Sequence, residues 1–196
     1  MCGIVGIYLK TKKFEKNLGK MLSGMLNNME SRGPDSAGFA IYKNEKKDIF
    51  KYSLCLNDLN FKKFKKEISN KIKKIQLSQH ADHVILKTPI EPKIVIKIIN
   101  KNFPEVSIVG YGHSIEIFKQ VGNPKDVVKK FKLDSFSGTH GIGHTRMATE
   151  SAITTDGSHP YSTGKDECLV HNGSLSNHNN LRRDLVKKGN IFNSEN

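Results

Sequence analysis

"MCGIVGIYL", residues 1–9, places a cysteine one position from the start of the chain and follows it with a short apolar run. Cys2 to Leu9 reads as a strand. Removal of Met1 would leave Cys2 carrying both a thiol and a free α-amine. A thiol attacks as its thiolate, and a free cysteine sits near pKa 8.5. An α-amine of about 7.7–8.0 is a matched base for it. One residue then supplies nucleophile and base together. Alone, an early cysteine is a weak signal, because any second residue has to be something, and its meaning depends on the rest of the chain.

Outward from that strand, Phe14, Leu18, Met21, Leu22, Met25, Leu26 and Met29 recur at steps of three and four, which predicts an amphipathic helix. "SRGPDS" ends it, with Gly33-Pro34 as a turn signal, and "AGFAIY" then reads as a buried strand. Residues 43–137 form a Lys-rich section with its own folded pattern. "NFKKFKKEISNKIKKIQL" has Phe61, Phe64, Ile68, Ile72 and Ile75 at helical spacing, with lysines on the opposite face. "HVILKT", "KIVIKII" and "VSIVGYG" read as strands, and "PKDVVKKF" as a short helix.

From Ser137 the composition changes, as Gly, Ser, Thr, His and Asn crowd together while lysine nearly vanishes. "GIGHTR" and "CLVHNG" read as short strands among polar loops, and "NHNNLRRDLVKK" as a helix with Asn at its start. Polar loops on a scaffold are where sites usually sit.

Four segments in order, "MCGIVG", "RGPDSAG", "GHTRMAT" and "HNGSLSNH", resemble the class II, N-terminal-nucleophile glutamine amidotransferase domain. The match covers about residues 1–42 and 138–196. "THGIGHTRMATES" and "DECLVHNGSLSNHNNLRR" are most similar to the separate amidotransferase subunits of glutamate-synthase-like systems, including those of N-methylglutamate synthase, and "GYGHSIEIFKQVGNPKDVV" extends the likeness into the middle section.

The resemblance implies one type-2 amidotransferase domain over 1–196 with an α+β fold, a four-layer αββα sandwich of two mostly antiparallel sheets. It implies that Cys2 attacks the side-chain amide of L-glutamine, and that the Asn172 amide and the Gly173 backbone N–H hold the oxyanion. Arg146 would grip the substrate's α-carboxylate, for which a planar fork suits better than lysine. Thr149 would add a hydroxyl contact, and Met147 stands where relatives often carry an aromatic ring. Arg32 would orient the terminal strand and Asp35 would shape its turn. The implied partner is a flavin- and iron-sulfur-containing glutamate-synthase-like subunit that receives the ammonia. This chain has no cofactor motif of its own. The acidic residue that fixes the substrate's α-amine in the family would follow "IFNSEN", so the domain reads as truncated at its C-terminus.

Other readings compete. "HNG" alone is a favoured hairpin turn. His140, His144, His159, Cys168 and His171 could be drawn as a zinc site, but the glycines of "HGIGH" oppose the helix that such spacing needs, so no metal is expected. The net charge of +13 invites a polyanion, yet only four of the 32 basic residues are arginine and no nucleic-acid module appears. A non-catalytic regulatory subunit and the glutaminase domain of an amidophosphoribosyltransferase-type enzyme are further alternatives. Three cysteines at irregular spacing suggest neither a disulfide framework nor a zinc module. With no signal peptide and no membrane-length apolar run, a cytoplasmic location is expected.

Overall fold

A computed structural model describes residues 1–44, 47–148, 152–173, 175–190 and 192. The first strand, β1 (Gly3–Tyr8), leads into a 3-10 turn and then helix α1 (Leu18–Asn28). The helix is shorter than its apolar stripe predicts. Leu18, Leu22 and Leu26 are buried, Met21, Met25 and Met29 lie at the margin, and Phe14 is left exposed on the 3-10 turn.

Strand β2 (Ser36–Tyr42) follows, buried along nearly its whole length as "AGFAIY" predicts. It pairs antiparallel on one side with β7 (Ile115–Val121) and on the other with β8 (His140–Arg146), and β8 pairs with β1. The resulting sheet has the order β1-β8-β2-β7. Helices α1 and α4 (Pro124–Phe131) cover one face, sharing a core in which Phe39, Phe118, Phe131 and Phe136 meet ring to ring at 5.1–6.0 Å.

The Lys-rich middle builds a second antiparallel sheet of order β4-β5-β3-β6, from β3 (Phe50–Cys55), β4 (Gln76–His80), β5 (His83–Thr88) and β6 (Ser107–Gly112). Helix α2 (Phe61–Lys71) packs on it through Phe64 and Ile68, with its lysines outward, as expected. The Asn60 side chain caps α2, accepting from the N–H groups of Lys62 and Lys63.

One expected element is wrong. "KIVIKII" is not a strand but part of helix α3 (Pro92–Asn102). Its β-branched residues favour the extended reading locally. Tertiary packing decides otherwise: Pro92 starts the helix without sacrificing a hydrogen bond, and Val95, Ile99 and Phe103, four apart, bury one stripe in the second core.

The two sheets meet where β3 and β6 approach β7, around Ala40, Cys55, Val109, Ile115 and Ile117. The Ile117 N–H donates to Ser53 Oγ at 2.8 Å, and buried Glu116 is held by Lys43 and Lys51 at 2.6 and 3.1 Å. The protein is thus α+β, with two antiparallel sheets that each carry helices, an arrangement compatible with the expected sandwich. No described helix is long and apolar enough to cross a membrane.

A small hairpin of β9 (Tyr161–Gly164) and β10 (Glu167–Leu169) completes the site's surroundings. Asp166, in its turn, accepts from the N–H groups of His113, Ser114 and Ile115 and so ties the hairpin to the β6–β7 turn. "CLVHNG" is strand only as far as Leu169, and the chain then runs irregularly to Gly173, whose φ of +152° favours glycine. Helix α5 (His178–Lys187) starts after Asn177 as expected, although that side chain makes no capping bond and the helix buries no side chain.

Candidate active site

Register explains why Cys2 lies where it does. Gly3 pairs with Thr145 and Ile4 with His144, so the same pairing carried one residue further sets Cys2 beside Arg146. Ser36 pairs with Arg146 from the other side, which makes β8 the spine of the site. Gly33 permits this closeness, since a Cβ there would overlap the carbonyl of Thr145.

The Cys2 thiol is half-buried and lies against the backbone of Met147. The Met147 N–H donates to Sγ at 3.4 Å, and Sγ lies 3.7 Å from the Met147 carbonyl oxygen. Met147 therefore meets the nucleophile through its main chain, while its side chain is 46% exposed and its sulfur lies 2.8 Å from the Met1 ammonium. With Met1 in place the Cys2 nitrogen is an amide, so the free amine is formed only once Met1 is cut away.

The Asn172 amide reaches the same strand, donating from Nδ2 to the Cys2 carbonyl oxygen at 2.9 Å. That group carries two N–H bonds, so one remains for another acceptor. Gly173 follows, exposed and at positive φ. Arg32 is exposed and lies over the terminal strand, Nε to the Cys2 carbonyl oxygen at 3.5 Å.

Arg146 is buried to 4% exposure, and its guanidinium donates to the Ala152 carbonyl at 3.2 Å. Asp35 staples the turn beside it. Its carboxylate accepts from the Ala148 N–H at 2.7 Å, and its own N–H donates to the Arg146 carbonyl at 3.1 Å. Cys2, Met147, Asn172, Arg146, Arg32 and Asp35 thus come together around one strand end. Thr149 lies outside the described residues.

Among the described residues, the histidines drawn above as a possible zinc set do not gather three ligand atoms at one point. His140 and His144 lie on strand β8, not a helix, and the Cys168 thiol contacts the Tyr42 hydroxyl at 3.4 Å. Elsewhere Cys55, Asp82 and His83 cluster, but His83 pairs with Asp82, Asp82 with Lys130 and Cys55 with Asn57. Burial pushes the Cys55 thiol up to about 11, as expected of a small buried residue.

Sequence reasoning missed the partnership of His144 and His159. Their rings lie 4.2 Å apart, tilted by 33°, within the field of Arg146, and burial lowers His144 to about 4 and His159 to about 3. Both are neutral at pH 7. An unfolded histidine titrates near 6.5, so between 6.5 and about 4 the unfolded chain takes up protons that the folded one refuses. Stability is therefore lost as pH falls through that window, by on the order of 3 kcal/mol for each histidine. Urea unfolding at pH 7, 6, 5 and 4 should show this decline, and a level or rising stability from 7 to 4 contradicts the neutral assignment.

Comparison with known proteins shows the family. The chain is 46% identical over 202 residues to the glutamine amidotransferase-like protein GlxB of Rhizobium meliloti (strain 1021), with all of this chain and 66% of that protein covered. It is 32% identical over 212 residues to a Methanothermobacter thermautotrophicus protein named "Putative glutamine amidotransferase", covering all of this chain and 68% of that one. The chain belongs to the glutamine amidotransferase family, and it spans about two thirds of the length of these two relatives. A glutamine--fructose-6-phosphate aminotransferase of Methanococcus maripaludis is 34% identical over 108 residues, 53% of this chain and 18% of that protein. No family model matches the chain.

Proposed function

We propose that this chain is a class II glutaminase of the N-terminal-nucleophile type, acting once Met1 has been removed. The observation that carries the reading is the convergence on one strand end of the Cys2 thiol, the Met147 N–H, the Asn172 amide and the buried Arg146. Cys2 Sγ attacks the side-chain amide carbon of glutamine, and its proton passes to the α-amine of the same residue. That amine returns the proton to the leaving nitrogen as ammonia departs, leaving a γ-glutamyl thioester. Water then hydrolyses the thioester to glutamate and regenerates the thiol.

Each tetrahedral intermediate carries an oxyanion. The remaining Asn172 N–H and the Gly173 N–H are the donors for it, each worth about 3–4 kcal/mol of transition-state stabilisation. Arg146 receives the α-carboxylate, Thr149 adds its hydroxyl, and Met147 lines the approach. Arg32 and Asp35 support the strand and its turn. The ammonia goes to a glutamate-synthase-like subunit carrying flavin and iron-sulfur centres.

Glutamine labelled with 15N in its side-chain amide tests the reaction. Full-length protein with Cys2 as its first residue should release labelled ammonia and glutamate in equal amounts. No release from that species, at any enzyme concentration accessible to NMR detection, refutes the reading.

A further inference from the structure

The segment that carries Asn172 is irregular and exposed: residues 171–173 belong to no strand or helix, and all three are solvent-accessible. An exposed loop is a poor place from which to aim a donor unless something rigid holds it. Behind it stands a buried construction that the proposed reaction does not use. His144, wholly buried on β8, contacts the His171 carbonyl oxygen through Nε2 at 3.1 Å. A carbonyl oxygen only accepts, so His144 Nε2 bears the hydrogen. With the ring neutral, Nδ1 is a bare lone pair, and it finds no partner among the described residues.

The His159 ring packs against that ring at 4.2 Å, tilted by 33°, and its Nδ1 is likewise buried without a described partner. The loop bearing His159 is fixed in turn by Lys119. This amine is 3% exposed, donates to the carbonyls of Asp156 and Ser158, both at 2.9 Å, and lies over the ring of Tyr161, which itself packs edge-on against His159. Gly38, between β8 and β7, gives the loop room, because a Cβ there would overlap the His159 carbonyl oxygen.

Unpaired buried ring nitrogens are costly, about 1–3 kcal/mol each, so this packing calls for a physical reason. An uncharged imidazole in one tautomer supplies it. It presents a single N–H in a fixed direction, and a positive charge there would be set beside the buried Arg146 guanidinium.

We infer that His144, clamped by the His159 ring and the Lys119-anchored loop, is the positioning residue that holds the His171 carbonyl and thereby aims the Asn172 amide at the strand end bearing Cys2. The inference rests on the glutaminase reading for its catalytic consequence but not for its structural one. Two measurements on the full chain separate them.

In hydrogen–deuterium exchange, H144L should raise exchange across 170–173 by roughly tenfold, because the segment, no longer tied through the His171 carbonyl, opens more often, with α1 and α2 unchanged. H144Q, whose amide also offers an N–H, should restore most of the protection. In steady-state glutamine hydrolysis H144L should lower kcat by about 100-fold with KM changed less than about threefold, because a misaimed oxyanion donor is missed mainly in the transition state. H144Q should recover at least a tenth of wild-type kcat. Unchanged exchange at 170–173 in H144L overturns the inference, as does a kcat loss that H144Q fails to relieve. Wild-type protein without glutaminase activity sinks the proposed function instead, and the exchange result then decides the positioning role alone.

Discussion

Replacing Cys2 by alanine is expected to lower glutamine hydrolysis by roughly 10⁴-fold or more while leaving the fold intact, because the substitution removes the sulfur proposed to form the thioester. The thiol is half-buried at the strand end and makes no core contact, so the stability change should stay within about 1 kcal/mol. The serine variant separates nucleophile from geometry. A hydroxyl in the same place accepts the Met147 N–H as readily as the thiol, yet its far higher pKa leaves an α-amine near 8 unable to activate it well. Serine should therefore fold like the wild type and hydrolyse glutamine only marginally better than alanine. Assays of ammonia release beside thermal unfolding of both variants check the two halves of this expectation.

The second large effect falls on Arg146. Its guanidinium is buried on the strand that carries the site and already braces the Ala152 carbonyl. Lysine keeps the charge but loses the fork that grips a carboxylate through two parallel bonds. R146K should lower kcat/KM for glutamine by about 100-fold, chiefly through KM, since the carboxylate is held equally in ground and transition states. A control comes from 4-aminobutanamide, which is glutamine without its α-carboxylate. Wild-type enzyme should strongly prefer glutamine over it, and R146K should lose most of that preference. A preference that survives in R146K assigns the carboxylate to another group.

How much of this was legible in the sequence depends on the scale of the interaction. The terminal strand, the breaker at Gly33-Pro34 and the charged face of α2 are written in local signals and appear where those put them, whereas α1 takes up only the part of its stripe from Leu18 on. The helix α3 was misread because Ile94, Val95, Ile96, Ile98 and Ile99 carry strand preference, while only packing against the second sheet reveals the four-residue repeat. Strands β3 and β7 went unread for a related reason. Lys51, Glu116 and Lys119 interrupt their apolar runs with charges that are buried and paired by residues far away in the chain.

At the candidate site, the residues proposed to carry the chemistry stand in four ordered motifs, yet two of the contacts around them were invisible. Met147 was expected to contribute its side chain, whereas its backbone meets the Cys2 sulfur. His144 and His159 were weighed only as possible ligands for a metal. The one available cue was that His144 stands two residues before Arg146, on the same face of the same strand, and so points the same way. That His159 would pack against it depends on a loop anchored by Lys119, a tertiary contact that carries no local signature.

Cys2, freed at its amino group, is the proposed nucleophile. Intact-mass measurement of the purified full-length protein, before and after treatment with the glutamine analogue 6-diazo-5-oxo-L-norleucine, tests that role most directly. The expected result is a mass lacking Met1, then a single adduct located on Cys2 by peptide mapping. A protein that hydrolyses glutamine while retaining Met1, or that takes the label at Cys55, Cys168 or any other residue, contradicts it.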